Sequence, residues 1–264
     1  MELPGLTLGV YRMSDRTVTQ AIAQALDIGY RSIDTASYYR NESAVGEAVR
    51  SSGLPRQELF VTSKLWNSDQ GPRAIDALHR SLELAGLEYL DCYLLHWPVA
   101  GRFVQSWRSL QSAVDEGLVR HLGVSNFLPR HLEQLQGIGD APYVNQVEMH
   151  PYLLQREVRR YDAQAGIRTS SWSPLGNGAV LSDPVLERIG RAHGKSSAQV
   201  ALRWALQHDV HVVAKASSRE HLQQNWDALS FALDDSEIAA IDALDRNLHT
   251  DWDPATEVVG PRTR

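Results

Sequence analysis

The chain has 264 residues, of which 43% are hydrophobic and 22% charged, and its formal net charge is −6. This length and composition suit a globular protein with a sizeable core, either one (β/α)8 barrel of about 250 residues or two smaller domains. No basic stretch interleaved with aromatic residues and no apolar run of membrane-spanning length occurs, which argues against nucleic-acid and membrane partners. The N-terminus does not resemble a signal peptide, so we expect a cytoplasmic protein. The single cysteine, Cys92, lies in an apolar run and is expected to be a buried thiol.

Eight short runs with strand character alternate with segments of helical periodicity. The predicted strands are residues 6–10, 32–36, 59–65, 90–96, 121–125, 144–149, 168–173 and 211–216. The predicted helices are residues 17–28, 42–50, 73–85, 103–116, 130–136, 156–165, 184–192, 198–207, 220–229 and 236–244. Asn41 stands at the position of an N-terminal cap for the second helix.

Strands alternating with helices of this length favour parallel pairing through right-handed crossovers. Eight such units favour closure into a barrel over an open sheet. The sequence therefore predicts an α/β protein, a single-domain (β/α)8 TIM barrel that comprises residues 1–264.

Chemically versatile side chains stand at the ends of seven of the predicted strands, the position at which barrel enzymes carry their active sites. They are Asp34, Lys64, His96, Ser125 with Asn126, Gln146, Trp172 with Ser173, and Lys215. The strand interiors before them are apolar, so this pattern indicates a functional rim.

Asp34, Lys64 and His96 end consecutive strands, and Tyr39 follows Asp34 in the next loop. A phenol has a pKa near 10 and is a poor acid at neutral pH unless a nearby cation stabilises the phenolate. Lys64 would supply that charge and Asp34 would orient Lys64. His96 would donate a hydrogen bond to a substrate oxygen. The set predicts a site that protonates or polarises a carbonyl group.

Each of these residues also has a structural interpretation when taken singly. Asp34 and Lys64 can form a structural ion pair, and Tyr39 can be an aromatic residue at the rim. His96 can be a hydrogen-bonded histidine without a catalytic role. An aldolase-type barrel with Lys64 as a Schiff-base nucleophile is a further interpretation. The presence of all four residues on adjacent barrel units favours the catalytic one.

Six motifs across the chain resemble those of the aldo-keto reductases in order and spacing. They are Asp34-Thr35-Ala36 with Tyr39, Asn41 and Glu42; Thr62-Ser63-Lys64-Leu65-Trp66-Asn67; Leu95-His96-Trp97-Pro98; Gly123-Val124-Ser125-Asn126-Phe127; Asn145-Gln146-Val147-Glu148-Met149-His150-Pro151; and Trp172-Ser173-Pro174-Leu175-Gly176. The chain is most similar to the small prokaryotic branch of 2,5-diketo-D-gluconate reductases. The resemblance implies a (β/α)8 barrel that binds NADP(H) in extended form and transfers hydride reversibly to aldehydes or ketones.

The resemblance also assigns roles to individual residues. The general acid would be Tyr39 rather than Tyr38, tuned by Lys64 and Asp34, and His96 would orient the carbonyl. The implied cofactor-binding residues are Ser125, Asn126 and Gln146 at the carboxamide, Trp172 stacked on the nicotinamide, Ser173, Leu175 and Asn177 along the pyrophosphate, and Lys215, Ser217, His221 and Asn225 at the adenosine end. No metal is implied.

The substrate is expected to be a small, polar carbonyl compound. On the family pattern, Tyr11, Trp66 and Trp97 would line an aromatic mouth. The segment after Pro98 is short, and the tail after Leu244 offers no long loop to close over a large ligand. We therefore expect an open site for sugar-derived keto acids, 2-oxoaldehydes and simple aldehydes.

The eighth strand departs from the family pattern where the 2′-phosphate of NADPH is usually held. Lys215 is kept, but Ala216 replaces a serine and His221 an arginine. Losing a hydroxyl and a permanent guanidinium weakens phosphate recognition, with Arg219 as a candidate to compensate. We therefore expect NADPH to be used with a relaxed preference and NADH to be accepted.

The main alternative function is a cofactor-binding regulatory or redox-sensing barrel with negligible turnover. The complete set of Asp34, Tyr39, Lys64 and His96 argues against it, as does the lack of an added interaction segment. We expect a monomer whose partner is its small carbonyl substrate.

Overall fold

The computed structural model describes residues 2–255, in which eight parallel strands close into a barrel. Each strand pairs with its neighbours in chain order, and the first pairs with the last. The strands are β1 (Leu6–Gly9), β2 (Ser32–Asp34), β3 (Phe60–Leu65), β4 (Leu90–Leu95), β5 (Val119–Ser125), β6 (Val144–Glu148), β7 (Arg168–Trp172) and β8 (His211–Lys215). The predicted α/β class and the single (β/α)8 TIM barrel are confirmed. Its extension over residues 1–264 stays a prediction, because residue 1 and residues 256–264 lie outside the described part.

Helices lie between the strands and surround the barrel. They are α1 (Asp15–Ile28), α2 (Glu42–Ser51), α3 (Ala74–Ala85), α4 (Phe103–Asp115), α5 (Pro129–Leu132), α6 (Arg156–Gln164), α7 (Pro184–His193), α8 (Ser197–Gln207), α9 (Arg219–Trp226) and α10 (Asp235–Asp242). The predicted helix 130–136 is instead the short α5 followed by a 3₁₀ turn, Glu133–Leu135. Leu132 and Leu135 are its buried residues, and their three-residue spacing suits a 3₁₀ turn.

Apolar burial on both sides of the strands explains their near-continuous hydrophobic runs. Every residue of β1, β3 and β4 is buried, as expected for parallel strands enclosed by helices. Cys92 on β4 is 1% exposed, so the predicted buried thiol is confirmed. Gly29 ends α1 at φ 130°, and a Cβ there would lie 2.8 Å from the ring of Trp226. Only glycine fits both this backbone conformation and this contact.

Asn41 stands at the N-terminal boundary of α2, but its side chain does not cap the helix. It accepts a hydrogen bond from Thr35 Oγ1 at 2.7 Å and donates one to the Val10 carbonyl at 3.0 Å. The predicted capping role was therefore wrong. The buried amide instead fastens the loops after β1 and β2 to each other, since buried backbone oxygens require partners.

Asp162 on α6 is a fully buried carboxylate outside the rim of strand ends. Thr169 Oγ1 donates to it at 3.0 Å, and Asn145 Nδ2 lies 3.3 Å from its Oδ1. Burial raises the pKa of Asp162 to about 7, although the hydrogen bonds from Asn145 and Thr169 oppose that shift. The carboxyl group is thus harder to ionise in the fold than in the unfolded chain.

We expect Asp162→Asn to remove a pH dependence of stability. Between pH 4 and 7 the folded wild type binds more protons than the unfolded chain, so its free energy of unfolding falls as pH rises. Relative to wild type, Asp162→Asn should gain on the order of 3 kcal/mol between pH 4 and 8. Urea unfolding of both proteins across this range measures the difference, in which all other titrations cancel. A constant difference would show that Asp162 ionises normally.

Candidate active site

A buried ion pair forms the base of the site at the carboxyl rim of the barrel. Lys64 Nζ makes a short contact with Asp34 Oδ1 and donates to the Thr35 carbonyl at 3.0 Å. Gln146 Nε2 donates to the other Asp34 oxygen at 2.9 Å. Burial lowers the pKa of Lys64, and the charge and hydrogen bond of Asp34 oppose this shift. The extra hydrogen bonds compensate for the loss of water around both charges.

Tyr39 ends the 3₁₀ turn that follows β2, close to this pair. Lys64 Nζ lies 5.1 Å from the centroid of the Tyr39 ring, and the centroids of the Tyr11 and Tyr39 rings are 4.8 Å apart. Burial, then Asp34 and Tyr11, raise the pKa of Tyr39 well above 10. Burial outweighs any lowering of this pKa by Lys64 in the resting site, and the expectation that Lys64 stabilises the phenolate stays a prediction. Tyr39 therefore keeps its proton at neutral pH.

His96 follows β4 and lies beside Tyr39. Its ring meets that of Tyr39 edge-on at 5.9 Å and that of Trp66 at 5.1 Å. Burial, with a contribution from Lys64, lowers the pKa of His96 well below 6.5, so the ring is neutral. Its Nδ1 is buried without a hydrogen-bond partner within residues 2–255. Because orphaned buried N–H groups are rare, we infer that Nδ1 carries the lone pair and Nε2 the proton.

The residues predicted to hold a nicotinamide form one hydrogen-bonded network. Asn126, at φ 64°, donates from Nδ2 to the His96 carbonyl at 3.0 Å and to Ser125 Oγ at 3.1 Å. Its Oδ1 accepts from Trp172 Nε1 at 2.9 Å. Ser125 Oγ in turn donates to the Gln146 carbonyl at 2.8 Å. The network fixes the Trp172 ring and links this part of the rim to His96.

The loop after β7 contains the residues predicted to lie along a pyrophosphate. Ser173 and Asn177 both have left-handed backbones, with φ 49° and 52°, and Ser173 Oγ donates to Asn177 Oδ1 at 3.2 Å. Leu175 packs against the main core. Asn177 Nδ2 also donates to Thr250 Oγ1 at 3.1 Å, so this loop is joined to the C-terminal segment.

The residues predicted for the adenosine end lie on β8, in the loop after it and on α9; they are Lys215, Ser217, His221 and Asn225. Lys215, Ser217 and His221 are exposed, whereas Asn225 is buried. The Nη2 atom of Arg219 lies 2.6 Å from Asp27 Oδ2 on α1. This ion pair is between two exposed side chains, so the expected compensation by Arg219 stays a prediction.

The aromatic residues predicted for the substrate mouth pack against other rings, and the C-terminal segment adds one more. Trp66 and Trp97 are buried in one cluster, and Tyr11 is 36% exposed. The Tyr38 ring stacks on Trp66 with ring centroids 3.9 Å apart. Trp252 packs against Trp97 with ring centroids 5.6 Å apart.

Trp252 is the residue that sequence reasoning missed, because no part in the site was expected of the tail. A tryptophan within the otherwise polar run 249–253 was the available signal. Such a ring requires an apolar surface, and the Trp97 ring provides one.

The model of the aldo/keto reductase family matches residues 5–246. The chain belongs to the aldo/keto reductase family. It is 43% identical over 252 residues to the glyoxal reductase of Bacillus subtilis, covering 94% of this chain and 91% of that protein. It is equally 43% identical over 260 residues to the 9,11-endoperoxide prostaglandin H2 reductase of Trypanosoma cruzi, covering 96% and 92%.

Solved structures of aldo/keto reductases share the fold. The enzyme from Brucella melitensis superposes with a TM-score of 0.88 at 40% identity, covering 92% of this chain and 95% of that one. A candidate 2,5-diketo-D-gluconic acid reductase B gives 0.89 at 39% identity, covering 92% and 88%. The predicted family resemblance is therefore confirmed. Within the described residues we find neither a His, Cys, Asp and Glu cluster suited to a metal nor a helix long and apolar enough to cross a membrane.

Proposed function

We propose that this family member reduces small aldehydes and ketones to alcohols with a nicotinamide cofactor, using Tyr39 as the general acid. The observation that carries the proposal is a protonated phenol beside the buried Lys64–Asp34 ion pair and the neutral His96. The family membership and the similarity to the glyoxal reductase of Bacillus subtilis support carbonyl reduction as the reaction class. Loss of NADPH absorbance with a panel of carbonyl compounds tests it, and absence of turnover across the panel would contradict it.

The residues of the rim fit a nicotinamide ring. Trp172 is partly exposed and fixed by Asn126, which leaves an indole face for a planar ring to stack on. Gln146 donates from its side-chain nitrogen Nε2 to Asp34, so its side-chain oxygen Oε1 can accept a hydrogen bond from the carboxamide of the cofactor. When bound there, the cofactor supplies the hydride that reaches the carbonyl carbon.

The proton would come from Tyr39. As negative charge develops on the carbonyl oxygen, Tyr39 donates its proton to that oxygen, which as an alkoxide is more basic than any phenolate. His96 Nε2–H donates a hydrogen bond to the same oxygen and orients it. The resulting phenolate is stabilised by Lys64, which Asp34 holds in place. A raised Tyr39 pKa is compatible with this role because the phenol must remain protonated until charge develops.

We propose sugar-derived keto acids, 2-oxoaldehydes and simple aldehydes as the substrate class. The partly exposed Tyr11 ring and the packed tryptophans Trp66, Trp97 and Trp252 support small compounds with both polar and apolar surfaces. The monomeric state and the cytoplasmic location stay predictions.

Two other functions remain testable. A regulatory barrel would bind NADPH without turnover, and the carbonyl panel separates it from a reductase. A Schiff-base aldolase requires an accessible amine, whereas Lys64 is 1% exposed and paired with Asp34. Borohydride trapping of a substrate adduct on Lys64 would support the aldolase.

We expect a relaxed preference for NADPH over NADH. The adenosine end offers Ala216 and the exposed His221, and Arg219 is engaged with Asp27. The ratio of kcat/KM values for the two cofactors should stay below about 10³, or roughly 4 kcal/mol of discrimination. His221→Arg should raise this ratio by restoring a guanidinium to the phosphate site. A wild-type ratio above that limit would contradict the expectation.

A further inference from the structure

Glu148 is a buried carboxylate at the end of β6 and takes no part in the proposed proton transfer. It is 2% exposed, and an ionised carboxylate that is buried in this way needs several hydrogen-bonding or charged partners. Its Oε1 accepts from the Thr250 backbone N–H at 2.8 Å and from the Thr250 hydroxyl through a short hydrogen bond. His150 Nε2 lies 3.2 Å from the same oxygen. Glu148 therefore concentrates its contacts on one residue of the C-terminal segment.

A histidine of that segment completes the charge balance. His249 Nδ1 lies 3.6 Å from Glu148 Oε2, and His249 Nε2 lies 3.7 Å from Asp253 Oδ1. Burial opposes the ionisation of Glu148, but hydrogen bonds from His150 and Thr250, together with the nearby His249, lower its pKa to about 2. At 3.6 Å the His249 and Glu148 atoms form an ion-pair contact and not a hydrogen bond, and the nearby carboxylate raises the pKa of His249. Both shifts favour an ionised Glu148 facing a protonated His249.

The segment held in this way reaches both predicted halves of the site. Thr250 accepts a hydrogen bond from Asn177 in the loop after β7, where the pyrophosphate is expected. Two residues further on, Trp252 packs on Trp97 in the aromatic mouth. The backbone N–H of Leu248 donates to the Tyr152 carbonyl at 3.0 Å, so the start of the segment is fixed independently of Glu148.

We propose that Glu148 is a positioning residue that fastens residues 248–253 across the rim and thereby couples the cofactor loop to the substrate mouth. We call Glu148, His249, Thr250 and Asn177 the carboxylate clasp. This proposal rests on the proposed function, because Asn177 and Trp252 can affect binding only if the site takes a nicotinamide cofactor and a carbonyl substrate. Glu148 does not touch the reacting atoms; it acts through Thr250.

The conservative variant Thr250→Val keeps the side-chain shape and removes only the hydroxyl. It should weaken NADPH binding and raise the KM for the carbonyl by about five- to tenfold, the effect of losing the hydrogen bond to the Glu148 carboxylate and the one from the Asn177 amide. The value of kcat should stay within about twofold, because the proton donor is unaffected. Thr19→Val on α1, whose hydroxyl binds only the Asp15 carbonyl, is the matched control and should change neither quantity.

His249→Gln tests the ion pair in the same assays, with His193→Gln as its control. His193 on α7 also pairs with a glutamate, and 2.9 Å separates His193 Nε2 from Glu237 Oε1. We expect an increase in both NADPH Kd and carbonyl KM for His249→Gln alone. Equal effects of His249→Gln and His193→Gln on these quantities would show that the His249 ion pair contributes only to general stability, which would contradict the proposal.

Two further measurements separate coupling from simple loosening. Asn177→Ala and Thr250→Val remove opposite ends of one contact, so their effects on NADPH binding should be less than additive. Each variant also loses a contact of its own, which is the predicted pyrophosphate contact of Asn177 and the Glu148 hydrogen bond of Thr250. Chymotrypsin cleavage after Trp252, which lies inside the segment and packs on Trp97, should be faster in Thr250→Val than in wild type and Thr19→Val.

The outcomes distinguish the clasp from the proposed function. Additive effects, or a loss of kcat with unchanged NADPH Kd and carbonyl KM, would overturn the clasp. If wild type neither binds NADPH nor reduces carbonyls, the proposed function fails, while chymotrypsin cleavage after Trp252 still reports whether Thr250 holds the segment.

Discussion

Tyr39→Phe should lower kcat for carbonyl reduction by about 10³-fold or more, the upper range for loss of a general acid. The Kd for NADPH should change by less than about twofold, because the ring contacts of Tyr39 within the described residues are with Tyr11, His96 and Lys64 and not with the residues predicted to hold the cofactor. Fluorescence titration with NADPH and steady-state kinetics on the same preparations measure both quantities. The phenyl ring keeps the packing against Tyr11, so the fold should be retained.

Tyr38→Phe is the control for this experiment. Tyr38 is one residue away, stacks on Trp66 and is 39% exposed, so loss of its hydroxyl should leave kcat unchanged. Full activity in Tyr39→Phe with loss in Tyr38→Phe would reassign the acid to Tyr38.

The pH dependence of wild-type reduction provides an independent check. Because burial, Asp34 and Tyr11 raise the pKa of Tyr39 above 10, the phenol stays protonated from pH 6 to 9. Burial and Lys64 lower the pKa of His96, which stays neutral over the same range. We therefore expect kcat at saturating substrate to be flat between pH 6 and 9. A decline with an apparent pKa near 7 would indicate a different acid.

Lys64→Met should damage both catalysis and stability. It leaves Asp34 as a buried charge whose remaining side-chain hydrogen bond comes from Gln146 within the described chain, which costs about 3–5 kcal/mol. It also removes the cation beside Tyr39, so kcat should fall by about 10² or more. Urea unfolding and steady-state kinetics measure the two effects separately.

The double variant Asp34→Asn with Lys64→Met separates stability from catalysis. Removing both charges should recover most of the lost stability, because no buried charge remains unpaired. Its kcat should remain as low as that of Lys64→Met, since the phenolate still lacks a cation. Recovery of kcat together with stability would show that Lys64 acts only through the fold.

The sequence determined the architecture because its signals are local and repeated. Eight apolar runs separated by periodic helices leave few topologies, and right-handed crossovers place every strand end at one rim. Asp34, Lys64 and His96 could therefore be grouped without coordinates. The motif spacing then distinguished Tyr39 from Tyr38, although the catalytic role of Tyr39 itself stays a proposal.

Only the tertiary structure decided properties that depend on long-range contacts. Asn41 has the residue type of a helix cap, but the nearby Val10 carbonyl and Thr35 hydroxyl take its side chain. The direction of the Tyr39 pKa shift also required the fold, because the net effect depends on burial and on the pairing of Lys64 with Asp34.

The C-terminal segment shows the same limit at the longest range. Glu148 and Thr250 are separated by 102 residues, and neither has a local pattern that predicts the other. The sequence encodes where each strand ends and which side chain stands there. Which distant segment folds back over that rim depends on three-dimensional complementarity between a buried carboxylate and the groups that neutralise it.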